Sequence, residues 1–334
     1  MKLNYIAVVG YNWTGASVVV DLLREFDDYE EFGSEFCLIW EKDGILDLEM
    51  VLFNNWEVLN QNVAINDFLE YVKIIQTRGG KFTKWGLDID NILDINLFQK
   101  SERYIDELTE FKYKSNKFLL DYKASYLYQF FNRLKRKKEK ILKKINISSV
   151  DAYFARPNEG KFLNATRNYM DSLFYNFAIK NNASNIILDQ ALPASNLQHT
   201  MRYFHNMKTV VIDRDPRDVY LNLIKRKMLI GLECSIEKHS VNKFISWYKI
   251  IRENRQEDDE NILRLNFEDI VLNYDENVKA IIKFLDITTK HTKMKFFFDP
   301  EKSKKNIGLW KTHINQDDMQ LIYQELKQYC NQGG

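Results

Sequence analysis

The 334-residue chain lacks features that mark several other classes of protein. It has only 12 Gly and 4 Pro, which argues against a loop-rich or all-β protein and favours long helices. Lys and Arg total 48 against 47 Asp and Glu, so the net charge of +1 gives no bulk attraction for nucleic acid. No apolar run reaches the roughly 18 residues of a transmembrane span, and the interrupted N-terminus does not resemble a signal peptide.

Cysteine is also scarce. The three cysteines are odd in number and far apart in the sequence: Cys37, Cys234 and Cys330. This spacing suggests neither a disulfide framework nor a metal site. It is typical of a protein in a reducing compartment, and we expect a cytoplasmic protein that needs no metal.

The most informative stretch lies near the N-terminus. The apolar run Leu3–Val9 predicts a buried strand, and the following helix carries its apolar residues at helical spacing on one face. The loop between them, Gly10–Ser17, begins with Gly and turns directly into the helix. Unpaired N–H groups at such a corner form a site for phosphate or sulfate. The alternative is an ordinary strand–turn–helix corner of an α/β protein.

The same loop excludes two common nucleotide motifs. It is not GxxxxGK[ST], because no Lys precedes Ser17, which argues against an ordinary ATPase or GTPase. It is not GxGxxG, which argues against a dinucleotide site.

Further along the chain, the pattern predicts a parallel sheet. An extended run over residues 29–40 precedes a mostly helical stretch, 43–180, which we interpret as a large helical insertion. Its basic run, residues 133–144, is typical of a solvated helix face, the alternative being a surface for an acidic partner. Apolar runs then predict strands at 185–189, 208–213 and 262–267, and helices follow at 275–285 and after the cap Asn315. Strands separated by helices indicate an α/β fold with ligands at the carboxyl ends of the strands.

Two more segments carry candidate anion-binding residues. Arg214 follows a predicted strand, and the next residues suit a helix start, with Asp215 as the N-cap, Pro216 at N1 and Asp218 at N3. Arginine at such a place suits a bound phosphate. The C-terminal segment 304–311 adds basic residues, so an anionic ligand with two separated acidic groups is expected.

Together these elements resemble the sulfotransferases that use 3′-phosphoadenosine 5′-phosphosulfate (PAPS). The resemblance covers roughly residues 1–40 and 185–330, and its most specific part is the run R-D-P-R-D-V at 214–219. It implies a single domain over residues 1–334, with a three-layer, P-loop-NTPase-like fold, a central parallel sheet and the helical insertion at about 43–180. It also implies donor-binding residues in three places: Trp13, Thr14, Gly15, Ala16 and Ser17 in the loop, Arg214 and Asn222 at the 3′ phosphate, and Lys304 and Lys305 in a basic C-terminal segment.

This chain departs from the family pattern at two positions. Trp13 stands where many members carry a Lys or Arg that neutralises the transferring sulfuryl group, and Asn222 stands where Ser is common. Asn retains a donor, so the second change is mild. For the first, a basic residue of the insertion is expected to substitute: Lys84, Lys161 or Arg167.

An acceptor hydroxyl also needs a general base. Glu35 is the first candidate, because the chain returns toward the loop there and glycan and tyrosyl-protein members place a catalytic Glu at about this distance. Asp189, at the end of its strand, is the second. The acceptor is expected to be a glycan, with a sterol or other hydrophobic alcohol as the alternative. Two other functions stay open: a P-loop-type nucleotide kinase, and a non-catalytic nucleotide- or glycan-binding relative.

Overall fold

A computed structural model describes residues 1–78, 88–115, 126, 150–230, 233–234, 240–253, 255 and 259–331. The side chains at 78, 150, 229–230 and 233–234 are excluded from that description. The chain divides into two compact units, one formed by Met1–Trp40 with Met170–Gly334 and the other by Glu41–Tyr169.

The first unit is built on a five-stranded parallel sheet with the strand order β2-β5-β1-β6-β9. Strand β1 lies at its centre, and the ends of its neighbours define the edge at which the Gly10–Ser17 loop begins. The strands are β1 (Asn4–Gly10), β2 (Tyr29–Glu35), β5 (Asn185–Asp189), β6 (Met207–Asp213) and β9 (Ile262–Asn266). The predicted α/β class with a central parallel sheet is therefore confirmed.

The centre of this sheet is apolar because both of its faces are covered. Residues 6–9 of β1 are at most 3% exposed, and Val19, Leu22 and Leu23 of the first helix are fully buried in the same core. Each buried Ile, Val or Leu side chain contributes about 1.5–3 kcal/mol relative to leaving it in water. The core therefore holds the start of the first helix rigidly against the end of β1.

The helices of this unit are short to medium in length. In chain order they are α1 (Ser17–Leu23), the 170–181 part of α6 (Glu159–Asn181), α7 (Leu197–Met201), α8 (Pro216–Lys225), α9 (Val241–Glu253), α10 (Phe267–Leu272), α11 (Tyr274–Leu285), α12 (Pro300–Ser303) and α13 (Gln316–Leu326). Single 3-10 turns cover Lys304–Asn306, Leu309–Thr312 and Lys327–Tyr329. A small antiparallel pair joins β7 (Met228–Ile230) to β8 (Glu233–Cys234).

The described part of the second unit contains helices and a pair of antiparallel strands. Its helices are α2 (Ile45–Phe53), α3 (Val58–Arg78), α4 (Ile89–Leu93), α5 (Leu97–Leu108) and the 159–169 part of α6. Strands β3 (Thr109–Ser115) and β4 (Val150–Ala155) pair antiparallel. The sequence pattern predicts a helical insertion, and this antiparallel strand pair differs from that prediction. Residues 109–115 alternate aromatic and charged side chains, which is a period-two pattern.

Two predicted helix starts are confirmed in detail. The Asp215 side chain accepts a hydrogen bond from the Arg217 N–H, with Pro216 opening the helix. The Asn315 side chain accepts one from the Asp318 N–H. The predicted basic run at 133–144 and Lys84 lie outside the described residues. In the described part of the chain, no helix is long and apolar enough to cross a membrane.

Candidate functional site

The Gly10–Ser17 loop has an unusual backbone. Asn12, Trp13 and Gly15 have φ values of +62°, +55° and +88°. A positive φ is rare for a bulky residue such as Trp and is found mainly where surrounding structure enforces it, often at functional sites. The loop therefore holds a conformation that its own residues would not choose in isolation.

The two loop glycines are needed for packing. A Cβ atom on Gly10 would lie 2.0 Å from Thr14 Oγ1, and one on Gly15 would lie 2.7 Å from the Phe267 ring. A side chain at Gly15 would therefore strike Phe267, which belongs to the buried core.

The loop leaves polar donors without acceptors. Thr14 is 1% exposed, and its Oγ1 is buried with no hydrogen-bond partner among the described residues. The Trp13 Nε1 is likewise buried without a partner in the described part of the chain. Ala16 caps α1 without any side-chain hydrogen bond, and Ser17 is exposed at the first position of the helix. Buried donors of this kind suit a ligand with oxygen acceptors.

The loop forms one wall of a pocket of about 260 Å³. The residues that line it are Asn12, Trp13, Thr14, Gly15, Ala16, Ser17, Glu35, Trp40, Asp189 and Gln190. The pocket therefore unites both carboxylates that the sequence suggested as bases with the five predicted loop residues. It lies at the carboxyl ends of the strands, where α/β sheets bind ligands.

Glu35 and Asp189 are direct neighbours on adjacent strands. They are paired in the β2–β5 ladder, and Glu35 is exposed while Asp189 is partly buried. The Asp189 Oδ1 is buried with no hydrogen-bond partner among the described residues. Burial, and then the charges of Glu35 and Glu31, raise the pKa of Asp189 to about 7. A carboxyl group that titrates near neutrality beside a second carboxylate can exchange a proton at physiological pH.

Arg214 lies on the other side of the loop. It is 6% exposed and donates to two backbone carbonyls, Trp13 O at 3.4 Å and Asn306 O at 2.5 Å. Its guanidinium lies 4.7 Å from the centroid of the Phe267 ring. Its Nε is buried without a partner among the described residues. Arg214 thus connects the N-terminal loop to the C-terminal basic segment and retains one unused donor.

The second arginine of this run has a different role. Arg217 donates to both carboxylate oxygens of Asp215, at 2.9 and 2.5 Å, and stacks 3.5 Å from the Trp310 ring centroid. Arg217 therefore has a carboxylate partner of its own, whereas the Nε of Arg214 has none among the described residues.

Asp218 fixes the C-terminal segment against α8. Its Oδ2 accepts from the Gly308 N–H at 2.8 Å, and its Oδ1 accepts from the Trp310 N–H at 3.2 Å. Gly308 has φ +69°, a conformation that favours glycine. Lys304 and Lys305 lie just before this turn and are exposed, and Lys304 pairs with Glu301 at 2.7 Å.

Asn222 lies on α8 in the first unit, whereas Lys161 and Arg167, two of the cations predicted to replace the basic residue missing at Trp13, lie in the second unit. Asn222 is half-buried on α8, one turn before its end, where its carbonyl accepts from the Arg226 N–H. Lys161 and Arg167 belong to the second unit, where Lys161 pairs with Glu110 at 3.0 Å. A cation that the sequence did not suggest, Arg226, stacks 3.8 Å from the Trp13 ring centroid.

The pocket lining also includes Gln190 and Trp40, which the sequence analysis does not predict as site residues. Gln190 has φ +49°, and its Oε1 accepts from the Gly10 N–H at 3.4 Å. The Trp40 indole donates to the Gln190 carbonyl at 2.7 Å. The position of Gln190 directly after a buried strand was a usable signal for the first, whereas nothing in the sequence pattern marks Trp40.

Glu268, in the first turn of α10, is a further buried carboxylate. Its Oε1 accepts from the Asp215 N–H at 3.1 Å, and its Oε2 is buried without a partner among the described residues. It holds the helix start at Asp215 in place. In the described residues, no group of three or more metal-ligating side chains is present.

The sequence model of a protein family that is described as the sulfotransferase family matches residues 96–291, which is more than half of the chain. The chain therefore belongs to the sulfotransferase family. The match includes part of the middle region, which the sequence resemblance did not cover. No curated protein matches the chain.

Several solved structures are also similar to the chain, at low scores. The sulfotransferase domain of the Synechococcus PCC 7002 olefin synthase has a TM-score of 0.40 and 12% identity over 97% of this chain and 94% of that one. Sulfotransferase STF9 from Mycobacterium avium has a TM-score of 0.39 and 10% sequence identity, and the alignment covers 98% of this chain and 76% of that one. Retinol dehydratase in complex with androsterone and the inactive cofactor PAP has a TM-score of 0.36 and 13% sequence identity, and the alignment covers 98% of this chain and 81% of that one.

Proposed function

We propose that this sulfotransferase takes its sulfuryl group from PAPS and transfers it to an acceptor hydroxyl. The observation that carries the proposal is the pocket in which the Gly10–Ser17 loop, hereafter the anion loop, lies together with the adjacent carboxylates Glu35 and Asp189. The loop has buried donors without acceptors at Thr14 and Trp13, and Arg214 keeps a buried Nε without a partner among the described residues. These groups fit a ligand with separated anionic ends, since each could donate to an oxygen that it now lacks.

Different residues bind different parts of the donor in this proposal. When bound, the donor supplies the sulfuryl group and a bisphosphate leaving group. The loop residues Thr14, Gly15, Ala16 and Ser17 hold its sulfate end, while Arg214 and Asn222 hold its 3′ phosphate. Lys304 and Lys305 cover the nucleotide. Transfer of this kind depends on positioning and electrostatic stabilisation of developing charge.

We propose Glu35 as the general base. It is the exposed member of the carboxylate pair, so an acceptor that enters from solvent reaches it first. It takes the proton from the attacking hydroxyl, and Asp189 lies beside it as a positioning residue that can share the proton, since its pKa is about 7. Trp40 lines the same pocket, and its ring supports a glycan acceptor, because aromatic faces stack on sugars. The buried thiol of Cys330 supports the cytoplasm as the compartment.

The test measures transfer of labelled sulfate from PAPS to a panel of oligosaccharides, with sterols and phenols for comparison. Glu35→Gln should lower kcat by roughly 10²–10⁴ at nearly unchanged donor affinity, the usual size of a general-base contribution. Glu30→Gln is the matched control, because it removes a carboxylate from β2 at a position that does not line the pocket.

Two results would contradict the proposal. No transfer to any hydroxyl by the wild-type protein would remove the enzymatic function and favour a binding protein. A small effect of Glu35→Gln together with a large effect of Asp189→Asn would move the base to Asp189.

A further inference from the structure

The pocket beside the anion loop has an unbalanced charge. Among the described residues that line it are the carboxylates Glu35 and Asp189, and none of these described residues carries a cationic side chain. A sulfate or phosphate oxygen placed there would be repelled by these carboxylates when they are ionised, and Asp189 is partly shielded from water, which strengthens its share of the repulsion. An anion at this loop therefore needs a positive charge from a residue just outside the lining.

We propose that Arg226 supplies this charge and that Trp13 holds it in place. The Arg226 guanidinium lies 3.8 Å from the centroid of the Trp13 ring, and Trp13 is itself part of the pocket wall. Stacking on an indole occupies the face of the guanidinium and leaves its N–H donors, which lie in the plane, available for an oxyanion. This inference rests on the proposed function, because it assigns Arg226 to the sulfate end of the donor.

The backbone fixes the position from which Arg226 reaches Trp13. Arg226 is the C-cap of α8, and its N–H donates to the carbonyls of Asn222 and Leu223 at 3.1 and 3.2 Å. On the other partner, the Trp13 carbonyl accepts from Arg214. The backbone of Arg226 is therefore fixed by α8, and the backbone of Trp13 is fixed by Arg214, which lies just before α8.

Several other cations of this region already have partners. Arg217 pairs with Asp215, Arg252 pairs with Asp213 at 2.6 Å, and Lys304 pairs with Glu301. Arg226, by contrast, is exposed and forms no ion pair with a described carboxylate. Its charge is therefore available to a ligand.

The experiment is isothermal titration calorimetry of the full chain with adenosine 3′,5′-bisphosphate and with adenosine 3′-phosphate, which lacks the 5′ group. Arg226→Ala should weaken binding of the bisphosphate about tenfold, the scale of one charge-assisted contact. It should change binding of the 3′-phosphate less than about twofold. Arg226→Lys, which keeps the charge but not the planar stack, should restore part of the lost affinity.

Lys225→Ala is the matched control, because it removes the same charge from the adjacent exposed residue of α8. It should leave the affinity for both ligands within about twofold of wild type. Unchanged bisphosphate binding by Arg226→Ala would overturn the inference. Equal weakening of both ligands would also overturn it, since that pattern indicates a structural role. If wild-type protein binds neither ligand, the proposed function itself fails.

Discussion

Asp189→Asn should make the protein more stable at alkaline pH, although we expect it to impair the reaction. The pKa of Asp189 is about 7 in the folded protein, against 3.8 for an ordinary aspartate. Between these two pH values the folded state binds more protons than the unfolded state. The contribution of Asp189 to the free energy of unfolding therefore falls as the pH rises from about 4 to about 7, and the loss is complete above that range.

The size of the effect follows from the difference between the two pKa values. At about 1.4 kcal/mol for each pKa unit, the ionised Asp189 destabilises the folded protein at pH 8 by about 4 kcal/mol at most. Relaxation around the charge and entry of water reduce this, and we expect about 1–2 kcal/mol. Asn removes the titrating group while keeping the shape and the acceptor oxygen, so the variant avoids this loss.

Urea unfolding at pH 4 and pH 8 measures the effect. The variant should match wild type at pH 4 and should exceed it at pH 8. Glu35→Gln provides a second check, because the charge of Glu35 contributes to the raised pKa of Asp189, and its removal should shrink the pH dependence of wild type. A stability difference between Asp189→Asn and wild type that is the same at pH 4 and pH 8, or an Asp189→Asn variant that is less stable than wild type at pH 8, would refute the reasoning.

Two further predictions concern the loop and the arginine behind it. Gly15→Ala should lower the free energy of unfolding by about 2–4 kcal/mol, since it adds both an unfavourable φ and a contact with Phe267. Gly33→Ala is the matched control, because Gly33 has φ +96° but no atom lies within 4 Å of the added Cβ. This variant should lower the free energy of unfolding by only about 1–2 kcal/mol. Equal urea midpoints for the two variants would contradict a destabilising contact with Phe267. Arg214→Ala should weaken binding of adenosine 3′,5′-bisphosphate by roughly 1.5–3 kcal/mol in calorimetry. An equal loss for adenosine 5′-phosphate would show that Arg214 does not read the 3′ phosphate.

Local chemistry in this chain could be predicted from sequence. The strand Leu3–Val9, the cap at Asp215 and the cap at Asn315 all follow from residues within a few positions of each other. The parallel sheet followed from apolar runs separated by helices. The alternating residues 109–115 were open to the same analysis, but the helical pattern on either side obscured them.

The contacts that build the site join residues far apart in sequence. The strand order places β2 beside β5, so Glu35 meets Asp189, and no spacing in the sequence encodes that neighbour. Asp218 suits a helix start, yet its carboxylate binds the backbone at Gly308 and Trp310. The stacking of Arg226 on Trp13 depends on where α8 ends relative to the loop. Each of these follows from tertiary packing rather than from local preference.

The central claim is that the anion loop and Arg214 together recognise a nucleotide with both a 5′ group and a 3′ phosphate. The most direct measurement compares the binding of adenosine 3′,5′-bisphosphate and ATP to the wild-type protein by calorimetry. We predict that the bisphosphate binds at least about tenfold more tightly, because ATP lacks the 3′ phosphate that Arg214 would contact. Tighter binding of ATP would contradict the account and would favour a nucleotide kinase.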